Sequence, residues 1–164
     1  MDLFELTKYN QWANAIYRDY CLEFQEQDER QLPGTGKSLK SILMHGIEVY
    51  SFWFSVLDAG GVPKERPSLP DDFKDLIAAW ERLDQLFIEK VTHHQRQDLT
   101  LDWGAEWTVT HTNSSNVLFN LIGHNTYHRG QMALVLRYLG KETIAETDFN
   151  PYIDSHQAGT PAKK

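Results

Sequence analysis

NVLFNLIGHNTYHRGQMALVLRYLG, Asn116 to Gly140, is the stretch whose reading decides the fold. Val117, Leu121, Met132, Val135 and Leu139, with Leu118, Ile122 and Leu136 alongside, recur at helical spacing. Within that stripe the pattern turns polar at His124 and His128. Four residues apart on a helix, the two rings stand about 40° apart on one face. Two imidazoles on an inward face need a partner, because an unsatisfied buried polar group costs about 1–3 kcal/mol. A divalent metal satisfies both at once.

Outward from this stretch, three more segments carry helical periodicity. Apolar residues at positions 3, 6, 9, 13, 16, 17, 20 and 24 predict a helix from Asp2 to about Glu29, closed by Pro33-Gly34 and Gly36. Ser38 can cap a second helix. Its face reads Leu39, Ile42, His45, Val49, Phe52, Trp53 and Val56, and it stops at Gly60-Gly61. His45 thus stands on an apolar stripe too. The linker to Leu69 holds Pro63 and Pro67 and reads as an irregular loop.

Ser68 to Asp72 has the Ser, Pro and early acid of a helix start. Phe73, Leu76, Ile77, Trp80, Leu83, Leu86 and Phe87 mark the buried face of the third helix, which ends near Val91. The period then switches to alternation at Leu99, Leu101 and Trp103, with Trp107 and Val109 after Gly104: a short hairpin or an extended loop. Thr112 or Asn113 can cap the last long helix. A tail with Asp148, Pro151 and one short turn follows. Four long amphipathic helices with one long irregular connection are the pattern of an all-α four-helix bundle, here one domain over residues 1–164.

Composition narrows the function. The net charge of −7, with scattered Lys and Arg, argues against a nucleic-acid binder. No apolar run approaches the roughly 20 residues of a membrane span, and the opening MDLFELTKYN is not a signal peptide. The single cysteine, Cys21, rules out an intrachain disulfide, suits a reducing cytoplasm, and reads as a small core residue.

His45, His124 and His128 are the candidate metal ligands. H-x-x-x-H alone is common, and Asn125 stands where the zinc-protease motif needs Glu. The spacing gains weight because all three histidines interrupt apolar stripes on helices a bundle can bring together. The alternative is that His45 is a satisfied core histidine and the pair lines a solvated groove. Three neutral imidazoles leave a metal an open position, a catalytic arrangement. Zinc and nickel both suit imidazole. Glu48, three residues after His45, is a second-sphere acceptor, a general base or a surface acid. Asn125, Tyr127 and Gln131 flank the ligands and can bond free ring nitrogens. Arg129 reads as a structural salt-bridge partner. His93 and His94 read as solvent-exposed, and His111 as a candidate for the site mouth. Trp12, Trp53 and Trp80 read as core or interface residues.

Three segments, YNQWAN (Tyr9–Asn14), SLKSILMHGIEVYSFWF (Ser38–Phe54) and LIGHNTYHRGQMALVLRYLG (Leu121–Gly140), with TDF (Thr147–Phe149), resemble the DinB/YfiT-like family. The HxxxHRGQ block with an upstream helical histidine is quite specific to it. The resemblance implies an up-down-down-up bundle, a three-histidine metal site at His45, His124 and His128, and a homodimer. Despite the name, it implies no DNA binding. Members that the chain is similar to include transferases and isomerases that use a low-molecular-weight thiol, and the first expectation is a metal-dependent thiol transferase acting on a small molecule. Metal-dependent hydrolysis, or a non-enzymatic metal-binding stress-response role, is the alternative. Tyr127 stands where many members have another histidine, which alters the site rim and not the ligand count.

Overall fold

A computed structural model describes residues 2–65, 67–104 and 109–157. Its architecture follows from four long helices: α1 (Leu3–Glu23), α2 (Leu39–Ala59), α3 (Phe73–Thr92) and α4 (Ser114–Leu139). A small antiparallel pair, β1 (Asp98–Leu101) and β2 (Thr110–Asn113), precedes α4, and α5 (Phe149–Gln157) closes the described chain. The structure is therefore mostly helical. The main helix contacts run α1–α3, α1–α4, α2–α3 and α2–α4.

Each boundary has a local cause. The Asp2 carboxylate accepts from Glu5 N at 2.8 Å and opens α1. Contrary to the longer helix expected to Glu29, α1 ends at Glu23, and only a single 3-10 turn, Gln25–Gln27, follows. Gln25 to Arg30 offers no apolar residue to pack, so nothing there repays continued helix. Ser38 and Ser41 form a capping box on α2, and Gly60 ends it in the left-handed region at φ 71°. The third helix begins at Phe73, capped by Asp72, rather than at Ser68. Asn113 caps α4 and Gly140, at φ 106°, ends it.

The core faces differ from the stripes read in the sequence. Leu39, Ile42, Leu43, Ile47, Tyr50 and Phe54 form the buried face of α2, whereas Val49 and Phe52 are half-buried and His45 is exposed. On α3 the buried row is Phe73, Leu76, Ile77, Trp80, Asp84, Phe87 and Val91. Asp84 takes the inward place that spacing gave to Leu83 and Leu86, and Leu86 faces solvent.

The hairpin expectation is met at Leu99↔Thr112 and Leu101↔Thr110; Trp107 lies outside the described residues. Leu99 and Leu101 are buried with Val56 and Val117 in a second small core, against which Phe52, Trp53 and Trp103 pack. The Ser114 N–H donates to the Gln97 carbonyl at 2.8 Å and the Gln97 N–H to Ser114 Oγ at 2.8 Å, which ties the pair to the start of α4. The tail holds more than one turn: α5 docks Tyr152 on Tyr9 and Ala13 of α1, and the Tyr152 hydroxyl donates to Glu5 Oε1 at 2.9 Å. Among the described residues no helix is long and apolar enough to cross a membrane.

Candidate metal centre

The α2–α4 packing brings the three sequence-predicted histidines together. The candidate ligand nitrogens of His45, His124 and His128 all lie within 4.8 Å of one another. Ring centroids are 5.4 Å apart for His45–His124, 5.0 Å for His45–His128 and 4.3 Å for His124–His128. The Nε2 atoms of His124 and His128 are 3.1 Å apart. Ligand nitrogens about 2.0–2.1 Å from a tetrahedral metal stand about 3.3 Å from each other, so the pair already has the spacing of two ligands. Burial is graded, from exposed His45 through half-buried His124 to buried His128. One side of the group therefore opens to solvent, on the α2 side.

The ring of His128 is held from behind. Its Nδ1 lies 2.9 Å from Gln131 Oε1, one helical turn on. With an amide oxygen there, Nδ1 carries the proton and Nε2 presents its lone pair to the group. Burial and the neighbouring imidazoles favour the neutral form of His124 and His128. Loss of solvent, then His128 and His45, push His124 down to about 4. His128 is lowered too, mainly by burial. Neutral imidazole is the form that binds metal, so a cation meets little competition from protons. The donor set, its spacing and its charge state fit a divalent ion.

Several flanking residues do other work than expected. Asn125 donates from Nδ2 to the Leu121 carbonyl of its own helix at 2.6 Å, not to a ring nitrogen. Tyr127 is exposed, with its ring 5.2 Å from that of His128, and forms part of the rim. Arg129 is buried and bonds to amide and hydroxyl oxygens instead of the salt bridge expected: Asn10 Oδ1 at 2.8 Å, Asn14 Oδ1 at 2.7 Å and Thr126 Oγ1 at 2.9 Å. His94 is half-buried rather than exposed, its Nε2 3.0 Å from Ser115 Oγ. His111 sits across the hairpin, 3.3 Å from Thr100 Oγ1, and is not part of the three-histidine group. Trp80 is core, as expected, and Cys21 is fully buried, its thiol pushed up to about 12 by loss of solvent.

Two features were missed in the sequence. The first is a buried polar network behind the site. Asn10, Asn14 and Arg18, at i, i+4 and i+8 of α1, meet Asp84 of α3, Tyr50 of α2 and Arg129 of α4. The i+4 recurrence of polar residues on α1 was the available signal. The second is a cleft of about 430 Å³ that shares His45 with the metal group and contains Glu48 and Val49 of α2 in its wall.

The sequence profile described as the DinB family matches residues 1–160 of the 164-residue chain. No curated protein matches it.

Proposed function

The chain belongs to the DinB family, and from that premise we propose that it is a metal-dependent transferase joining a low-molecular-weight thiol to a small electrophile. The observation that carries this reading is the convergence of three imidazoles from two helices, all ligand atoms within 4.8 Å. His45, His124 and His128 would hold the ion, zinc or nickel by the preference of imidazole donors. Bound there with a vacant position, it supplies Lewis acidity that lowers the pKa of a thiol.

The protein's own residues supply the rest. Gln131 fixes the tautomer of His128. Glu48 stands one turn from His45 in the wall of the same cleft, and we assign it the thiol proton. The sulfur lone pair then forms a bond to the electrophilic carbon, and the leaving group departs with the displaced electron pair. A cleft open beside His45 admits the electrophile without passage through the core.

The remaining features of this reading rest on packing and composition. We infer an up-down-down-up four-helix bundle over residues 1–164, in which α1 and α2 each contact both α3 and α4. We assign the chain to the cytoplasm, which suits its one buried thiol. We also infer a homodimer with a second copy of this chain. Phe119, Tyr127, Leu134 and Tyr138 form an exposed stripe on α4, with Gly123 and Gly130 between them to admit a close partner. Sedimentation should give twice the chain mass for the wild type and the monomer mass for Phe119→Glu/Leu134→Glu; a monomeric wild type excludes the dimer.

Elemental analysis should find about one equivalent of metal in the wild type and little in His45→Ala. Consumption of a model electrophile should require both metal and thiol and be lost in His124→Ala. Turnover without thiol would point to hydrolysis. Metal without turnover would leave a binding protein.

A further inference from the structure

Four residues of α2, His45, Glu48, Val49 and Phe52, follow the spacing i, i+3, i+4, i+7 and line one side of the cleft of about 430 Å³. The opposite side comes from the α2–α3 connection, with Val62, Pro63 and Pro67, and from the hairpin, with Trp103. The wall beyond His45 is mostly apolar, with charges at Glu48, Lys64 and Glu65. Phe52 and Trp103 stack with centroids 6.1 Å apart and planes 22° apart, and Trp53 meets Trp103 edge-on at 6.2 Å. The indole is fixed at its other end, where Nε1 donates to Thr110 Oγ1 at 3.1 Å. A preformed cleft of this size with rigid aromatic surface suits a flat apolar group, because neither side has to be ordered on binding.

We propose that this cleft seats an uncharged aryl group of the electrophilic substrate, with its reactive atom toward His45 and with Trp103 setting the size of aryl group accepted. This deepens the reading of the three histidines as a metal centre and rests on it. With Glu48 and Glu65 against Lys64 the wall carries no net positive charge to hold an anionic body, and its mostly apolar surface suits an uncharged one.

The test uses two chelating probes that differ only in their body, acetohydroxamate and 2-naphthohydroxamate, titrated calorimetrically into zinc-loaded protein. The naphthyl probe should bind at least about tenfold tighter. Trp103→Ala should cut that preference to under about threefold, and so should Val49→Trp, which fills the cleft from α2 without touching the hairpin; acetohydroxamate affinity should not change. Equal affinities in the wild type, or an undiminished preference in both variants, overturns the proposal. A second arm titrates 2-naphthamide, which lacks the chelating group, into chelator-stripped protein. Binding that is lost in Val49→Trp supports the aryl cleft, and no binding counts against it. If elemental analysis finds no zinc while 2-naphthamide binds, the cleft stands and the metal reading falls. If zinc is held and the two hydroxamates bind alike, the metal reading stands and the cleft proposal falls.

Discussion

At the residue scale, the decisive contact is the one from Gln131 Oε1 to His128 Nδ1. Partners of this kind orient a ligand ring, and their removal typically costs about 10–100-fold in metal affinity. Gln131→Leu should therefore weaken zinc binding by about that factor in competition with a chromophoric chelator, with an unchanged circular dichroism spectrum. Full affinity in that variant would mean that backbone and burial alone aim the ring. Proton linkage at half-buried His124 and buried Asp84 has opposite signs. His124, pushed from 6.5 down to about 4, binds fewer protons folded than unfolded between those values, so its contribution to stability grows as pH rises. Asp84, raised by burial from 3.8 to about 6, keeps a proton in the folded chain that the unfolded chain has lost, so its contribution falls as pH rises. In metal-free protein, urea midpoints from pH 4.5 to 6 should therefore climb less, or fall more, in His124→Ala than in the wild type. A parallel profile would refute the assignment. The histidines were legible because each broke an apolar pattern. Asp84 was not, because a charge among Leu83, Leu86 and Phe87 reads as solvent-facing until the opposing Arg18 is seen.

At the element scale, α4 carries two of the three candidate ligands and is the longest helix described, at 26 residues, so its register matters most. Asn113 fixes one end by accepting from Asn116 N at 3.0 Å, and Gly140 fixes the other at φ 106°. A side chain in that left-handed conformation costs about 1–2 kcal/mol. Gly140→Ala should lower the urea stability by that amount and leave the metal stoichiometry intact, since the ligands sit more than ten residues away. Loss of metal would show that the C-terminal end of α4 controls the site. These caps were readable from residue type alone. The face of α2 was not: Leu39, Ile42, Val49 and Phe52 fit one stripe on paper, yet the core takes Ile47, Tyr50 and Phe54, and the cleft takes Val49 and Phe52. A helix that is apolar on most sides has no single face until its neighbours choose one. The tail helix was read as no more than one short turn for a related reason. Its nine residues are too short a run to fix a helical period, and it is held by Tyr152 against α1 rather than by its own propensity.

At the scale of the whole molecule, two polar assemblies link helices that apolar packing alone would leave free to slide. Asp84 joins α1, α2 and α3 through Asn14, Arg18 and Tyr50, and Arg129 extends the network to α4. Removing one partner of a buried ion pair leaves the other uncompensated, at about 3–5 kcal/mol. Asp84→Ala should lose stability of that order in chemical denaturation, and a loss within the range of a surface substitution would show that Arg18 reaches water instead. The three histidines are the second assembly, and they span only α2 and α4. Because the candidate ligands converge only in the folded chain, an ion bound there would stabilise it by mass action. Free metal at a hundred times its dissociation constant contributes about 2.7 kcal/mol, or about 5–11 °C in a chain of this size. Thermal melts at rising zinc concentration should show an increase of that order in the wild type. His45→Ala should melt near the metal-free wild type, because His45 is exposed and leaves no cavity, and its melting point should not move with zinc. If that variant gains as much as the wild type, the ion sits on His124 and His128 alone, and α2 contributes a wall to the cleft but no ligand.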